Sequence, residues 1–91
     1  MAIGIYFPAS MSAAQYDEAV KRLEQAGAGA PRGRQYHASF EEEGGKLAVF
    51  DVWESQEAFE DFGKTLMPIL AELGADPGTP NIAPIHNIIK G

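Results

Sequence analysis

Apolar residues recur along the chain with two periodicities, one typical of strands and one typical of helices. Short segments rich in β-branched and aromatic residues occupy residues 2–7, 34–40 and 46–53, and they predict three β-strands. A fourth strand is predicted over residues 85–89, because this apolar segment begins just past Pro84, where a strand tolerates proline.

A proline and a capping pair mark the boundary between the first strand and the first helix. Pro8 lacks a backbone donor and is predicted to end the strand. Ser12 and Gln15 fit a capping box, and apolar residues then recur on one helical stripe. A helix is therefore predicted over residues 13–26, with Gly27 as its stop.

The second helical segment begins after Ser55, which is predicted to be its N-cap. Pro68 lies inside this segment and is predicted to kink the helix or to divide it into two. Gly74 closes it. The predicted buried stripe consists of Phe59, Phe62, Leu66, Ile69 and Leu73.

The predicted order of elements is β-α-β-β-α-β, which is the ferredoxin-like α+β arrangement. It has a four-stranded antiparallel sheet, in the usual strand order 4-1-3-2, with both helices on one face. The sequence "EEEGG", residues 41–45, is predicted to be the hairpin connection between strands two and three, since its two glycines can take positive φ.

The third strand has one entirely apolar face and one face that carries a carboxylate. The apolar face is predicted to meet the helices, which leaves Asp51 and Trp53 on the open side of the sheet. In the second strand the polar set is His37 and Ser39. These two join Asp51 and Trp53 on the same face if the hairpin connection has an odd number of residues.

Neither side of the predicted sheet is hydrophilic, so we expect the open face to be covered by a second copy of the chain. In such a homodimer, strand four of one protomer approaches strand two of its partner. His86 or Asn87 would then face His37 across the interface and form a shared pocket.

The composition limits the class of protein. At 91 residues, the chain predicts a single domain, residues 1–91. The net charge of −6 disfavours binding to nucleic acid. Cysteine is absent, and no segment resembles a signal peptide or a membrane span, so we expect a cytoplasmic protein without membrane contact.

The candidate chemistry centres on His37 and Asp51 as catalytic residues. A histidine among small polar and aromatic neighbours can accept a proton near neutral pH, although a structural bond to a backbone carbonyl would also explain His37. Asp51 is a base in a dry pocket, or the ion-pair partner of Arg32, Arg34 or Lys46, or a helix-capping residue. We expect neither a metal nor another cofactor, because two histidines and one carboxylate on separate strands have no ligand spacing.

The remaining candidates would bind the substrate. Trp53 could stack on a flat compound or simply pack in the core. Ser39 would line the pocket beside it. His86 and Asn87 could polarise a carbonyl group, or they could pair across a dimer interface.

Three segments carry a resemblance to a known family. "DVWESQEAFEDF", the preceding "GRQYHASF" and the closing "PIHNII" resemble the dimeric α/β-barrel superfamily that includes the antibiotic-biosynthesis monooxygenases. The resemblance implies a homodimer with a small-molecule pocket between sheet and helices in each half. Haem-degrading members place a histidine on the helix after the tryptophan strand, and residues 55–73 contain none.

Three functions remain open at this point. The first is a cofactor-independent monooxygenase-like enzyme acting on a flat aromatic or enolisable compound. The second is a module that binds a small apolar or aromatic ligand without turnover. The third is a purely structural dimer. Substitution of His37 by alanine would abolish turnover in the first, shift affinity in the second and alter only stability in the third.

Overall fold

The computed structural model describes the backbone of residues 1–91 and the side chains of residues 1–42 and 44–91. Four strands form one antiparallel sheet in the order β2-β3-β1-β4, which confirms the ferredoxin-like fold predicted from the sequence. The elements are β1 (Ile3–Met11), α1 (Ala13–Gln25), β2 (Arg34–Glu41), a 3₁₀ turn (Glu43–Gly45), β3 (Leu47–Trp53), α2 (Gln56–Glu72) and β4 (Asn81–Pro84).

Side chains cap both helices as predicted. The Ser12 hydroxyl accepts a hydrogen bond from the Gln15 backbone N–H, and the Gln15 side chain accepts one from the Ser12 N–H. The Ser55 hydroxyl accepts a hydrogen bond from the Ala58 N–H. Each cap satisfies donors that would otherwise have no intrahelical partner, and it fixes where the helix leaves the sheet.

The hairpin between β2 and β3 sets the register of the site. Its connection is five residues long, 42–46, and Gly44 and Gly45 take φ values of 86° and 75°. The odd length brings His37 directly opposite Asp51. The predicted placement of these two side chains on one face is confirmed.

The predicted end of the first strand at Pro8 and the predicted division of the second helix at Pro68 are both wrong. β1 continues through Pro8 to Met11, since its register against β3 is irregular between Phe7 and Met11, and a missing N–H costs little at such a point. α2 is continuous through Pro68. Both Pro68 and Lys64 are exposed, so the carbonyl freed by the proline lies on the solvent side of the helix.

The prediction that Asp51 and Trp53 face the open side of the sheet is also wrong. Trp53 is fully buried and contacts Phe59 and Phe62 of α2, with ring centroids 5.7 and 5.3 Å away. Burying the indole contributes more apolar area than burying the smaller side chains of the opposite face. Asp51 follows Trp53 to the helix side because residues two apart share a face.

The last strand lies earlier than predicted. β4 ends at Pro84, which pairs with Ile3, and in the described C-terminal segment, residues 85–91, neither helix nor strand forms. The reason is that β1 begins at Ile3, so one further hydrogen bond, from the Ile85 N–H to the Ala2 carbonyl at 2.9 Å, ends the pairing.

The core lies between the sheet and the two helices. One buried cluster contains Ile3, Ile5, Leu23, Trp53 and Phe62, and a second contains Met11, Ala19, Leu70 and Ala75. Within the described part of the chain, neither helix is long and apolar enough to cross a membrane.

Candidate active site

Four side chains form a continuous chain of hydrogen bonds on the helix side of the sheet. The Tyr16 hydroxyl lies 2.6 Å from His37 Nε2, and His37 Nδ1 lies 2.6 Å from Asp51 Oδ1. Trp53 Nε1 donates to Asp51 Oδ2 at 3.1 Å. Both carboxylate oxygens of Asp51 are therefore occupied, and both ring nitrogens of His37 have partners.

The donors in this chain fix the tautomer of the neutral histidine. An ionised carboxylate can only accept, so His37 Nδ1 carries the proton that it donates to Asp51. Nε2 is then the acceptor, and the Tyr16 hydroxyl donates to it. The arrangement orients Nε2 as a proton acceptor and provides an anion behind the ring that stabilises the protonated form, the same division of roles as in a Ser-His-Asp triad.

The fold positions each member of the chain separately. Asp51 is only 4% exposed, but its burial is compensated because both of its oxygens accept hydrogen bonds. The His37 side chain is 25% exposed and so remains accessible. Tyr16 lies in α1, one residue after the capping box, and its ring is nearly parallel to the imidazole.

A cavity of about 160 Å³ opens beside this chain. For comparison, a cavity of about 150 Å³ admits one benzene ring. Its wall comes from β1, α1, β2, β3 and α2 and is mostly apolar, and its polar members include Tyr16, Arg34, His37 and Asp51. The apolar members include Phe7, Met11, Val20, Leu23, Val49, Phe62, Leu66 and Leu70. The pocket predicted for the open face therefore lies between the sheet and the helices.

The other predicted site residues lie outside the cavity lining formed by the described residues. Trp53 is buried behind Asp51 and supports the carboxylate. Ser39 shares the face of His37 but is exposed at the position opposite Val49. The prediction of His86 and Asn87 in a strand is wrong, since both are exposed in the segment after β4.

Sequence reasoning missed three polar residues of the cavity, Ser10, Tyr16 and Arg34. Tyr16 falls on the buried stripe of the first helix, where an aromatic residue is indistinguishable from core. Arg34 stands at the start of β2, and alternation assigns it to the face opposite His37. For Tyr16, the capping box just before it was a signal in the sequence, because it fixes where the helix begins and therefore which side each residue faces. For Arg34, the sequence contained no such signal.

The opposite side of the sheet, called here the open face, is rich in aromatic side chains. The rings of Tyr6 and Phe40 stack with centroids 6.4 Å apart, and Tyr36 is 57% exposed. The Tyr6 hydroxyl donates to both carboxylate oxygens of Glu42, at 3.0 and 2.9 Å. This hydrogen bond, with partial desolvation and the nearby negative charge, raises the pKa of the Tyr6 phenol above 10.0.

Comparison with known proteins gives a clear result for the fold. No protein-family model matches the sequence, and no curated protein matches it. A candidate antibiotic biosynthesis monooxygenase from Chloroflexus aurantiacus J-10-fl is similar in structure, with a TM-score of 0.63 and 15% identity over 100% of both chains. SnoaB from Streptomyces nogalater, a cofactor-independent oxygenase, gives 0.61 and 14% identity over 99% of this chain and 95% of its own.

The chain shares the fold of these proteins. A third structure, a candidate antibiotic biosynthesis monooxygenase from Deinococcus radiodurans, is similar with a TM-score of 0.62 and 15% identity, covering 99% of this chain and 97% of that one. The resemblance inferred from the sequence is therefore confirmed, and at these identities it concerns the fold.

Proposed function

We propose that the protein is a homodimeric cofactor-independent oxygenase that acts on a flat aromatic or enolisable small molecule. One observation carries the proposal, the hydrogen-bonded chain from Tyr16 through His37 to Asp51 that borders an apolar cavity. A positioned proton acceptor beside a dry wall is what proton removal from such a substrate requires. The fold shared with SnoaB adds a reason of analogy.

The first step is proton transfer from substrate to His37. The Tyr16 hydroxyl donates its proton to His37 Nε2 while its oxygen accepts the proton of the substrate. The hydroxyl therefore relays a proton from the substrate to His37. Asp51 keeps the imidazole in the required tautomer and stabilises the imidazolium that forms. The apolar wall excludes water, which would otherwise reprotonate the carbanion.

The carbanion itself then reduces dioxygen. For a substrate of the type R₂CH₂, it transfers an electron to O₂, the radical pair joins through a new C–O bond, and the imidazolium returns its proton to give R₂CH–OOH. Loss of the second C–H proton with cleavage of the O–O bond releases water. The sum is R₂CH₂ + O₂ → R₂C=O + H₂O.

An oxygen electrode tests this function. The probe is indan-2-one, a C–H acid with a single aromatic ring, in buffer with EDTA and without any added cofactor. We expect the wild type to consume one O₂ per ketone formed, with one atom of ¹⁸O₂ in the product. The His37→Gln variant should be about 10²–10⁴ times slower, and His86→Gln, which alters the exposed second histidine, should match the wild type.

The alternative functions give different results. A binding module would hold indan-2-one without consuming O₂, and the His37→Gln substitution would change its affinity only modestly. Oxygen uptake that is equal in the wild type, in His37→Gln and in buffer alone would refute the oxygenase.

The dimer part of the proposal rests on the open face. Tyr36 and Phe40 are 57% and 43% exposed there, and Ile88 and Ile89 of the segment after β4 are 48% and 83% exposed. A second copy would cover both sets of apolar side chains. His37 faces the helices, so a partner packed on the open face contacts the other side of the sheet, and the shared pocket predicted with His86 is not part of this proposal.

Native mass spectrometry tests the assembly. We expect a species at twice 9.8 kDa, and we expect Tyr36→Glu to shift it to the monomer. Met67→Glu is the matched control, because Met67 is 50% exposed but lies on α2. A wild-type monomer at micromolar concentration would refute the dimer without bearing on the hydrogen-bonded chain.

A further inference from the structure

The wall of the cavity includes one arginine side chain, Arg34, that the proposed proton transfer does not use. We propose that Arg34 recognises a carboxylate on the ligand, so that the compound bound is a single-ring aromatic carboxylate. This inference deepens the proposed function, since it concerns the same cavity and names the substrate class.

A β-bulge directs Arg34 into the cavity. Between Arg34 and Tyr36 the register of β2 against β3 is irregular, and Arg34 pairs with Trp53 while Tyr36 pairs with Val52. Without the bulge, Arg34 would lie on the open face together with Tyr36, because residues two apart in a strand share a face. The extra residue, Gln35, instead turns Arg34 to the helix side, and bulges next to active sites commonly redirect a side chain in this way.

One hydrogen bond to the described residues holds the guanidinium in place and leaves most of its donors open to a ligand. Arg34 Nη2 donates to the Gly29 carbonyl at 3.1 Å, and Arg34 Cζ lies 5.9 Å from the centre of the Phe62 ring, which also lines the cavity. A guanidinium has five N–H donors in a fixed fork that matches a carboxylate. Two side-by-side bonds to a ligand carboxylate are compatible with both of these contacts.

No carboxylate of the described residues neutralises Arg34. The ion pairs in that part of the chain join Arg22, His37 and Lys64 to acidic partners and do not include Arg34. Asp51 shares the cavity wall, but among the described residues its ion pair is with His37 and not with Arg34. A cation beside an apolar cavity in a chain of net charge −6 is therefore left to a ligand anion.

The size of the cavity sets the rest of the ligand. About 160 Å³ corresponds to one aromatic ring. Benzoate is thus the simplest probe, and benzamide is its matched neutral analogue, because it has the same ring and nearly the same shape.

Binding of the two probes tests the inference without reference to turnover. Trp53 is the single tryptophan of the chain and contacts Phe62 and Asp51, both of which line the cavity, so its fluorescence reports on binding. Saturation-transfer NMR provides an independent second measurement. We expect the wild type to bind benzoate at least about tenfold more tightly than benzamide, the scale of charge-assisted hydrogen bonds.

Variants identify the residue responsible. Arg34→Gln should remove the preference for benzoate and leave benzamide binding unchanged, and Arg34→Lys should keep part of it because the charge remains while the fork is lost. Arg32→Gln makes the same change of charge at an exposed position outside the cavity lining formed by the described residues, and it should match the wild type.

Several results would overturn the inference. These are equal affinity of the wild type for the two probes, no binding of either, or a preference for benzoate that survives in Arg34→Gln. The comparison of probes on the wild type decides the case even if Arg34→Gln fails to fold. Selective benzoate binding through Arg34 without any oxygen uptake would refute the oxygenase and leave the carboxylate site standing.

Discussion

Replacing Asp51 by asparagine should reverse both hydrogen bonds of His37 while preserving the shape of the hydrogen-bonded chain. Trp53 Nε1–H can only donate, so it fixes the asparagine carbonyl on its own side. The amide NH₂ then points at His37 Nδ1, which must become an acceptor. The proton of the imidazole moves to Nε2, and the Tyr16 hydroxyl changes from donor to acceptor.

The cost in stability follows from the two bonds that Asp51 makes. A hydrogen bond to a charged group contributes about 1.5–3 kcal/mol and a neutral one about 0.5–1.5 kcal/mol. Each bond therefore loses about 1 kcal/mol in Asp51→Asn, slightly less for His37, whose side chain is 25% exposed. The sum of about 2 kcal/mol corresponds to a fall in Tm of roughly 8–15 °C for a domain of this size.

Two control substitutions should lose more and less stability than Asp51→Asn. Asp51→Ala leaves the buried Trp53 N–H and the His37 N–H without an acceptor and should cost about 3–5 kcal/mol. Asp61→Asn removes an exposed carboxylate that pairs with Lys64 at 3.3 Å, and it should cost less than about 0.5 kcal/mol.

Long-range ¹H–¹⁵N correlation spectra of the imidazoles, recorded at mildly alkaline pH, distinguish the tautomers. A His86→Gln background leaves His37 as the single histidine. We expect Nδ1–H in the protein with Asp51 and Nε2–H in the Asp51→Asn variant, with oxygen uptake lost although the fold remains. An Nδ1–H tautomer in Asp51→Asn would refute the reasoning, since Trp53 would then not control the orientation of the amide.

Two further predictions concern other parts of the molecule. Gly33→Ala should lower the free energy of unfolding by about 2–5 kcal/mol in urea titrations, because φ is +91° and the new Cβ would lie 2.7 Å from the Ala58 Cβ. Gly27 is the control, since it has φ +76° with open space around it, and Gly27→Ala should cost only about 1 kcal/mol. Equal costs for the two substitutions would contradict the steric argument. The titration of Tyr6 is obtained by subtracting the absorbance of Tyr6→Phe at about 295 nm from that of the wild type. It should give a pKa above 10.0, and this pKa should fall back toward 10.0 in Glu42→Gln. Since the folded-state pKa is raised, the stabilisation by the Tyr6 phenol is complete below about pH 10 and is lost as the pH rises through the folded value; a midpoint at or below 10.0 would contradict this.

Local rules accounted for most of the fold. The helix caps at Ser12 and Ser55 and the two glycines of the hairpin are short-range signals, so they are readable from the sequence and the structure confirms them. The pairing of His37 with Asp51 also followed, because the parity of a hairpin depends only on the length of its connection.

The errors come from interactions that are distant in the sequence. Counting apolar residues placed Asp51 on the open face, because its burial is acceptable only once His37 and Trp53 donate to it. The end of β4 at Pro84 depends on where β1 begins. The bulge that redirects Arg34 leaves no local mark, so the charged end of the cavity could not be predicted.

The five-residue hairpin also restricts how this chain can change over evolutionary time. An insertion or deletion of one residue within positions 42–46 would turn every side chain of β2 to the opposite side of the sheet or leave an extra residue to be absorbed by a new bulge. Unless such a bulge forms, His37 would leave Asp51, even though no residue of the site had been altered. Descendants that keep the pairing must therefore vary the length of this connection in steps of two or acquire a compensating bulge, however unimportant the exposed loop is in itself.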